Sequence, residues 1–560
     1  MKQHGRWLLL LCGAGLAMGA PHPVADLILL NGRFLTMDPA RPEAQAVAVQ
    51  GEQIVAVGTD RDIAGYRGPH TRVVDLHGRF AMPGFNDAHT HLASGGLALL
   101  RVDLTGARSL AEMQQRIRAA LPHYAPGQWI VGRGWDHTLW PEKRFPTRDD
   151  LDAVSTNHPM FFMRVDGHIG VANSRALAIS GIDASTPDPP GGRILRDAQG
   201  RPTGLLEEKA TDLVERHIPP PGPAEHRRAI ELAIAEANRN GVTSVSDYST
   251  WEDFQVYRQL KAEGRLTLRI TEWLPFELPL ERLEQMRREG GTQDRWLRTG
   301  ALKGFLDGTF GSETAAMLAP YSDHPGETGI LRMDPQRVMA MTVERDRAGF
   351  QIAFHAIGDR AVRLALDAFA AAAAANGSRD RRDRVEHAQV VAPEDFDRFA
   401  RLGVIASVQP CHLLDDVRWA EQRLGPERSR YGYPWKSFLQ HGVRLAIGTD
   451  FPVEPINPMG NLYACRTRQT REGWPPGGWQ PQERISMEDC LRAYTTGAAY
   501  AEFAEHWKGQ LRPGMVADIV VLSDDPRAVA PASLWRVHPL LTIVGGRIVY
   551  QAPEARYLLQ

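Results

Sequence analysis

Short apolar runs broken by turn dipeptides open the chain between Ala25 and Arg79. A-D-L-I-L-L runs into Asn31-Gly32, A-V-A-V into Gln50-Gly51, I-V-A-V-G follows, and R-V-V-D-L ends at His77-Gly78. Alternation of period two punctuated by Asn-Gly turns predicts strands and hairpins. The far end has the same texture, with V-A-D-I-V-V-L from Val516 and L-L-T-I-V-G-G-R-I-V-Y from Leu540. Each piece alone is small for an independent sheet. The pattern therefore predicts one small composite β-sandwich built from 21–82 and 501–560.

The middle alternates in type. After a first strand near residue 85 come strand-like runs at Gly241–Ser249, Leu266–Trp273, Ala301–Leu306, Gln351–Ile357, Arg384–Val390, Val404–Gln409 and Leu445–Gly448. Helical faces lie between them: Ile230, Ala233, Ile234 and Ala237 share one, and Val362, Leu366 and Phe369 share another that stops at Gly377. Ser486 and Asp489 form a capping pattern at the last helix. Strand–helix alternation of this length predicts an α/β chain with a (β/α)8 TIM barrel over 83–500. A long excursion, about 95–227, follows the first barrel strand. It is expected at the catalytic mouth, as a lid and specificity element.

Composition changes this picture little. The chain has 560 residues and a formal charge of -2, so it offers no electrostatic hold on nucleic acid. A small molecule is the expected partner, and homo-oligomerisation is left open. The N-terminus departs from the rest: Lys2 and Arg6 precede an apolar run from Trp7 to Ala20 that ends in small residues. That is the layout of a signal peptide over 1–20, too short to span a membrane. A periplasmic or secreted protein is expected, with no membrane anchor after cleavage. Cys12 raises lipidation, but Leu11 before it is bulky where a small residue is wanted. Cys411, Cys465 and Cys490 are odd in number and far apart, so neither a disulfide framework nor a C-x-x-C metal site is expected.

The chemistry gathers at strand ends. In M-P-G-F-N-D-A-H-T-H-L an extended segment puts His89 and His91 on one face, where two neutral imidazoles can hold a metal. Lys303 lies in the apolar A-L-K-G-F-L-D-G, where an unpaired charge would be costly. His355 ends Q-I-A-F-H, His387 ends R-V-E-H, and Asp450 ends L-A-I-G-T-D. Each alone has an ordinary explanation: a hydrogen-bonded core histidine, a turn aspartate before Phe451-Pro452, or a Lys303–Asp307 pair. Together, in this order along a predicted barrel, they point to a metal centre.

These segments resemble the amidohydrolase superfamily, in its YtcJ-like (amidohydrolase 3) branch. The likeness rests on P-G-F-N-D-A-H-T-H, L-K-G-F-L-D-G-T-F-G-S-E-T-A, H-A-I-G-D, V-E-H-A-Q and G-T-D-F-P-V. It extends to the inserted G-W-D-H-T-L-W, P-T-R-D-D-L-D and V-D-G-H-I-G-V-A-N-S-R-A-L. The resemblance implies one or two divalent ions, zinc first among them. His89, His91 and Asp450 would hold one ion, His355 and His387 a second, and Lys303, carboxylated to a carbamate, would bridge them. Asp450 and His387 are the implied catalytic residues, Asp450 taking the proton of a metal-activated water and passing it to the leaving amine. Trp135, Asp136 and His168 are the implied substrate contacts, although for Trp135 and Trp140 aromatic core packing is the safer reading than a pocket wall. Asn173 reads as a helix cap. Asp307 and Glu313 could orient Lys303, while Cys411 and His412 carry little weight as site residues. The implied reaction is hydrolysis of a non-peptide C–N bond, of N-substituted amide or formamide type. Ester, lactone or deaminase chemistry is the alternative, and a non-catalytic binding protein the more distant one.

Overall fold

A central sheet of eight parallel strands organises the molecule: β1 (Phe85–Thr90), β2 (Val242–Asp247), β3 (Arg269–Pro275), β4 (Leu297–Phe305), β5 (Ile352–Ala356), β6 (Arg384–His387), β7 (Ile405–Val408) and β8 (Leu445–Ile447). The computed structural model describes residues 23–164, 169–190, 192–311 and 313–559. The expected signal peptide, Cys12 and the substrate candidate His168 lie outside these residues. Each strand pairs with the next in the chain, and β1 and β2 are buried along their whole length. Helices cover the outer face, as parallel sheets require.

The sheet closes between β1 and the segment after β8. Thr90 bridges Phe451 in parallel register, the His91 N–H donates to the Phe451 carbonyl at 2.7 Å, and the Asp450 N–H donates to the His89 carbonyl at 2.8 Å. The Asp87 carboxylate accepts both the N–H and the hydroxyl of Thr449, at 2.9 and 2.6 Å. Gly448 permits this approach: a Cβ there would lie 2.5 Å from the His89 nitrogen and 2.8 Å from Asp87 Oδ1. Gly448→Ala is therefore expected to lower stability by about 1–3 kcal/mol, the usual cost of overpacking, measured by urea unfolding. An unchanged midpoint would show that the closing segment can shift freely.

The amphipathic patterns mark real helices. Pro223–Arg239 buries Ile230, Ala233, Ile234 and Ala237, and Asp359–Asn376 buries Val362, Leu366 and Phe369. The second stops at Gly377, whose φ of 78° suits glycine. Ser486 caps Met487–Arg492, its Oγ accepting the Asp489 N–H at 3.0 Å. One strand differs in extent: β4 begins at Leu297, before the apolar run from Ala301. Its first residues are polar but satisfied. Arg298 donates to Glu502 Oε2 at 3.0 Å, and Lys508 pairs with the other oxygen of that carboxylate at 2.6 Å. Paired charges under the barrel floor conceal a strand from any hydrophobic pattern.

Both ends of the chain share the flanking β-structure. Phe80–Pro83, which runs almost directly into β1, pairs antiparallel with Ile519–Leu522, and parallel with Arg33–Leu35 on its other edge. A four-stranded sheet of Gln53–Gly58, Ala46–Gln50, Leu27–Leu30 and Arg72–Asp75 shares a core with it, through Leu27, Val47, Val49, Ile519, Leu541 and Ile543.

The excursion between β1 and β2 forms a mixed sheet of six strands, in the order Val102–Asp103, Ile130–Trp135, Met160–Arg164, Ile169–Ala172, Pro202–Glu208 and Gly192–Arg196. Neighbouring Phe161 and Phe162 enter separate cores on its two faces, as strand alternation demands. Among the described residues no helix is long and apolar enough to cross a membrane. Cys411, Cys465 and Cys490 are buried free thiols.

Candidate metal centre

β1 carries two imidazoles to the mouth of the barrel, and their outer nitrogens are committed. His89 is fully buried, with Nδ1 2.8 Å from Glu386 Oε2. His91 Nδ1 lies 3.1 Å from the Tyr248 carbonyl. A carbonyl or carboxylate oxygen can only accept, so both Nδ1 atoms carry the proton and both Nε2 atoms present lone pairs. These converge on Asp450 Oδ1, at 3.4 Å from His89 and 3.1 Å from His91. Lys303, buried at the end of β4, sets its Nζ 2.9 Å from His89 Nε2.

His355, from β5, is fixed the opposite way round. Its Nε2 lies 2.9 Å from the Gly308 carbonyl, leaving Nδ1 as the free lone pair. Its ring centre is 4.5 Å from that of His387, which is in turn 5.0 Å from His89. His387 Nδ1 is buried without a hydrogen-bond partner. His387 and Asp450 both sit at positive φ, 75° and 60°. Backbone held in this region by non-glycine residues stores strain, commonly where a site demands it.

Electrostatics favour a cation among these groups. Burial pushes the His89 and His355 imidazoles down to about 4 and about 3, and His387 well below its ordinary range, so all three are neutral at physiological pH. Burial alone would raise Asp450, but the charge His89 can carry and a hydrogen bond from His91 outweigh it and hold the carboxyl well below the usual range. Burial brings the Lys303 ammonium down to about 8. The imidazole nitrogens of β1 and the Asp450 carboxylate confront one another at one point, with the Lys303 amine beside them. A divalent ion resolves that confrontation, and this donor set suits zinc, iron or manganese. Among the described residues, His89, His91 and Asp450 bring ligand atoms within 4.8 Å of one another, as do His387, His412 and Asp450.

The family model described as "Amidohydrolase family" matches residues 72–550. The chain belongs to that family. Its curated relatives include Protein LONG AFTER FAR-RED 3 of Arabidopsis thaliana, 38% identical over 94% of this chain and 92% of its own. The putative amidohydrolase YtcJ of Bacillus subtilis is 31% identical over 93% and 98%. The N-substituted formamide deformylase of Arthrobacter pascens is 30% identical over 94% and 98%. An uncharacterised metal-dependent hydrolase from Pyrococcus furiosus has the same fold, with a TM-score of 0.71 and 30% identity, over 90% of this chain and 99% of its own. This amidohydrolase is a metal-dependent hydrolase of carbon–nitrogen bonds, on a (β/α)8 scaffold.

All six ligand candidates of this amidohydrolase stand at one end of its barrel. Of the inserted candidates, the two that the structure describes, Trp135 and Asp136, are engaged elsewhere. Trp135 is 0% exposed in the core of the inserted sheet, packed on Trp140 and Phe145, and donates its indole N–H to the Phe162 carbonyl at 2.8 Å. That is core packing, not a substrate-facing wall. Trp140 is likewise buried and donates to the Ala107 carbonyl. Asp136 pairs with Arg164 at 2.9 Å. Asn173 caps Ser174–Ile179, accepting the Ala176 N–H. Asp307 does not steady Lys303: it accepts backbone N–H groups from Ala316, Ile357 and Gly358, and lies 3.4 Å from His355. Glu313 pairs with Arg423 and His324.

One group at the centre escaped the sequence reading, and another was given little weight there. Glu386 orients His89 and is itself gripped by Arg384, whose Nε donates to it at 2.7 Å. Arg384 also reaches the Ala88 carbonyl and the Ser407 hydroxyl, both at 2.8 Å, tying β6 to β1 and β7. Burial raises the Glu386 carboxyl, but Arg384 and His89 overcome it and bring it down to about 2. The signal was present, because residues two apart in a strand share a face and R-V-E puts opposite charges on the interior one. His412 is the other: its Nε2 lies 3.7 Å from Asp450 Oδ2.

Proposed function

We propose that this amidohydrolase cleaves the C–N bond of N-substituted amides, formamides foremost, after export from the cytoplasm. The reading is carried by the convergence of the His89 and His91 lone pairs on Asp450, with Lys303, His355 and His387 around them. The named activity of the Arthrobacter pascens relative supports the formamide, and the Lys2–Ala20 pattern supports export.

His89, His91 and Asp450 would hold one divalent ion, zinc for preference, with His355 and His387 available for a second. Lys303 suits carboxylation: burial favours its neutral amine, which can attack carbon dioxide, lose a proton and become an oxygen ligand. A divalent ion there supplies Lewis acidity, polarising the scissile carbonyl and lowering the pKa of water towards ~7. Asp450, kept ionised by its neighbours, receives the proton of the attacking water. It then returns that proton to the leaving nitrogen as the C–N bond breaks, giving a carboxylic acid and an amine. Glu386, Tyr248 and Gly308 each accept one ring N–H, and so fix which nitrogen of His89, His91 and His355 faces the centre.

The test is amine release from a panel of N-alkyl and N-aryl formamides and acetamides, with matched esters beside them. Formamides are expected to be the best substrates, and dialysis against a chelator is expected to abolish turnover until zinc is restored. Release of alcohols but no amines would sink the reading.

A further inference from the structure

His412 begins the short helix His412–Asp416 just after β7, and its ring is set the other way from His89 and His91. Those two histidines, and His355, hand a proton outward and turn a lone pair inward. At His412 the outer partner is an amide nitrogen, Gln389 Nε2, 3.3 Å from Nδ1. In this amide orientation the N–H donates and Nδ1 accepts, which puts the ring proton on Nε2, the nitrogen that faces the Asp450 carboxylate. That atom is buried, has no hydrogen-bond partner, and lies 3.7 Å from Asp450 Oδ2. Its ring is nearly parallel to that of His387, at 17° and 5.9 Å between centres.

The surroundings hold this arrangement. Gln389 is 4% exposed, and its backbone carbonyl receives the Tyr433 N–H at 2.6 Å, while its side-chain Oε1 is buried without a partner. The His412 N–H donates to the Gln409 carbonyl, and the preceding Cys411 N–H donates to Asn461 Oδ1 at 2.7 Å. The ring is thus fastened at both its backbone and its outer nitrogen. A lone pair at Nε2 would have made His412 a metal ligand, as its distances to His387 and Asp450 allow. A proton there makes it a hydrogen-bond donor instead.

We propose that His412 is a catalytic residue that donates its Nε2–H to the substrate carbonyl oxygen as that oxygen gains negative charge, and that Gln389 is the positioning residue that fixes its tautomer. A neutral donor fixed beforehand in a dry site stabilises charge as it develops, without having to reorganise. The proposal rests on the hydrolytic reading above.

The experiment uses zinc-loaded full-length protein and an N-substituted formamide that the wild type hydrolyses. His412→Ala is expected to lower kcat by about 10²–10³, the usual effect of removing one oxyanion donor, while zinc per chain by elemental analysis stays at the wild-type value. His412→Gln, which can place an amide N–H near the lost Nε2–H, is expected to recover part of the loss. Gln389→Ala is expected to lower kcat less than His412→Ala, with KM unchanged. Loss of a zinc equivalent in His412→Ala would overturn the proposal in favour of a ligand. Wild-type kcat in His412→Ala, with an active parent, would overturn the donor role alone. A parent that releases no amine from any amide would overturn the hydrolytic reading, and the donor role with it. The zinc count does not depend on turnover, so the two failures are told apart.

Discussion

Asp450→Asn is expected to abolish measurable amide hydrolysis, with kcat falling by about 10³–10⁴, near the upper end of what a positioned proton acceptor contributes. The substitution keeps size and shape but removes the basicity that His89 and His91 face from 3.4 and 3.1 Å. Zinc is expected to remain partly bound, because the imidazoles of β1 are still oriented by Glu386 and Tyr248. Zinc content and single-turnover amine release on one preparation separate the two effects. Activity within tenfold of wild type would show that another group carries the proton, and would remove Asp450 from the chemistry.

Glu386→Gln has the second largest expected effect, although the residue touches no substrate. It takes the charge from the oxygen that receives the His89 proton and leaves the buried Arg384 guanidinium without its counter-ion. Breaking a buried ion pair on one side costs about 3–5 kcal/mol, and losing the orienting partner of a ligating histidine costs about 10–100-fold in metal affinity. Competition with a chelator of known affinity reads the second, and urea unfolding of the metal-free protein reads the first. If zinc affinity is unchanged while stability falls, Glu386 serves only to neutralise Arg384.

The barrel and the gathering of its ligand candidates were legible because both depend on local regularities. Strand–helix alternation does not depend on the distant partner, and ligand-type residues closing apolar strands stand out against their neighbours. His89, His91, Lys303, His355, His387 and Asp450 each end or nearly end such a run. What stayed hidden depends on pairing across sequence. Glu386 looks like any strand carboxylate until Arg384 and His89 are seen around it, and Arg298 makes β4 appear four residues shorter until Glu502 is placed beneath it. His412 was discounted because it lies past the end of β7, on a helix whose path the strand pattern does not fix. Trp135 misled for the opposite reason: an aromatic in a resemblant motif invites a pocket, yet the inserted sheet has a core of its own to fill.

The strand Phe80–Pro83 continues almost directly into β1, and one of its two neighbours, Ile519–Leu522, follows every ligand candidate along the chain. A growing polypeptide that has already emerged past Asp450 still lacks the stave that braces the approach to His89 and His91. The approach to the centre is thus braced only once chain from both sides of the barrel has been made.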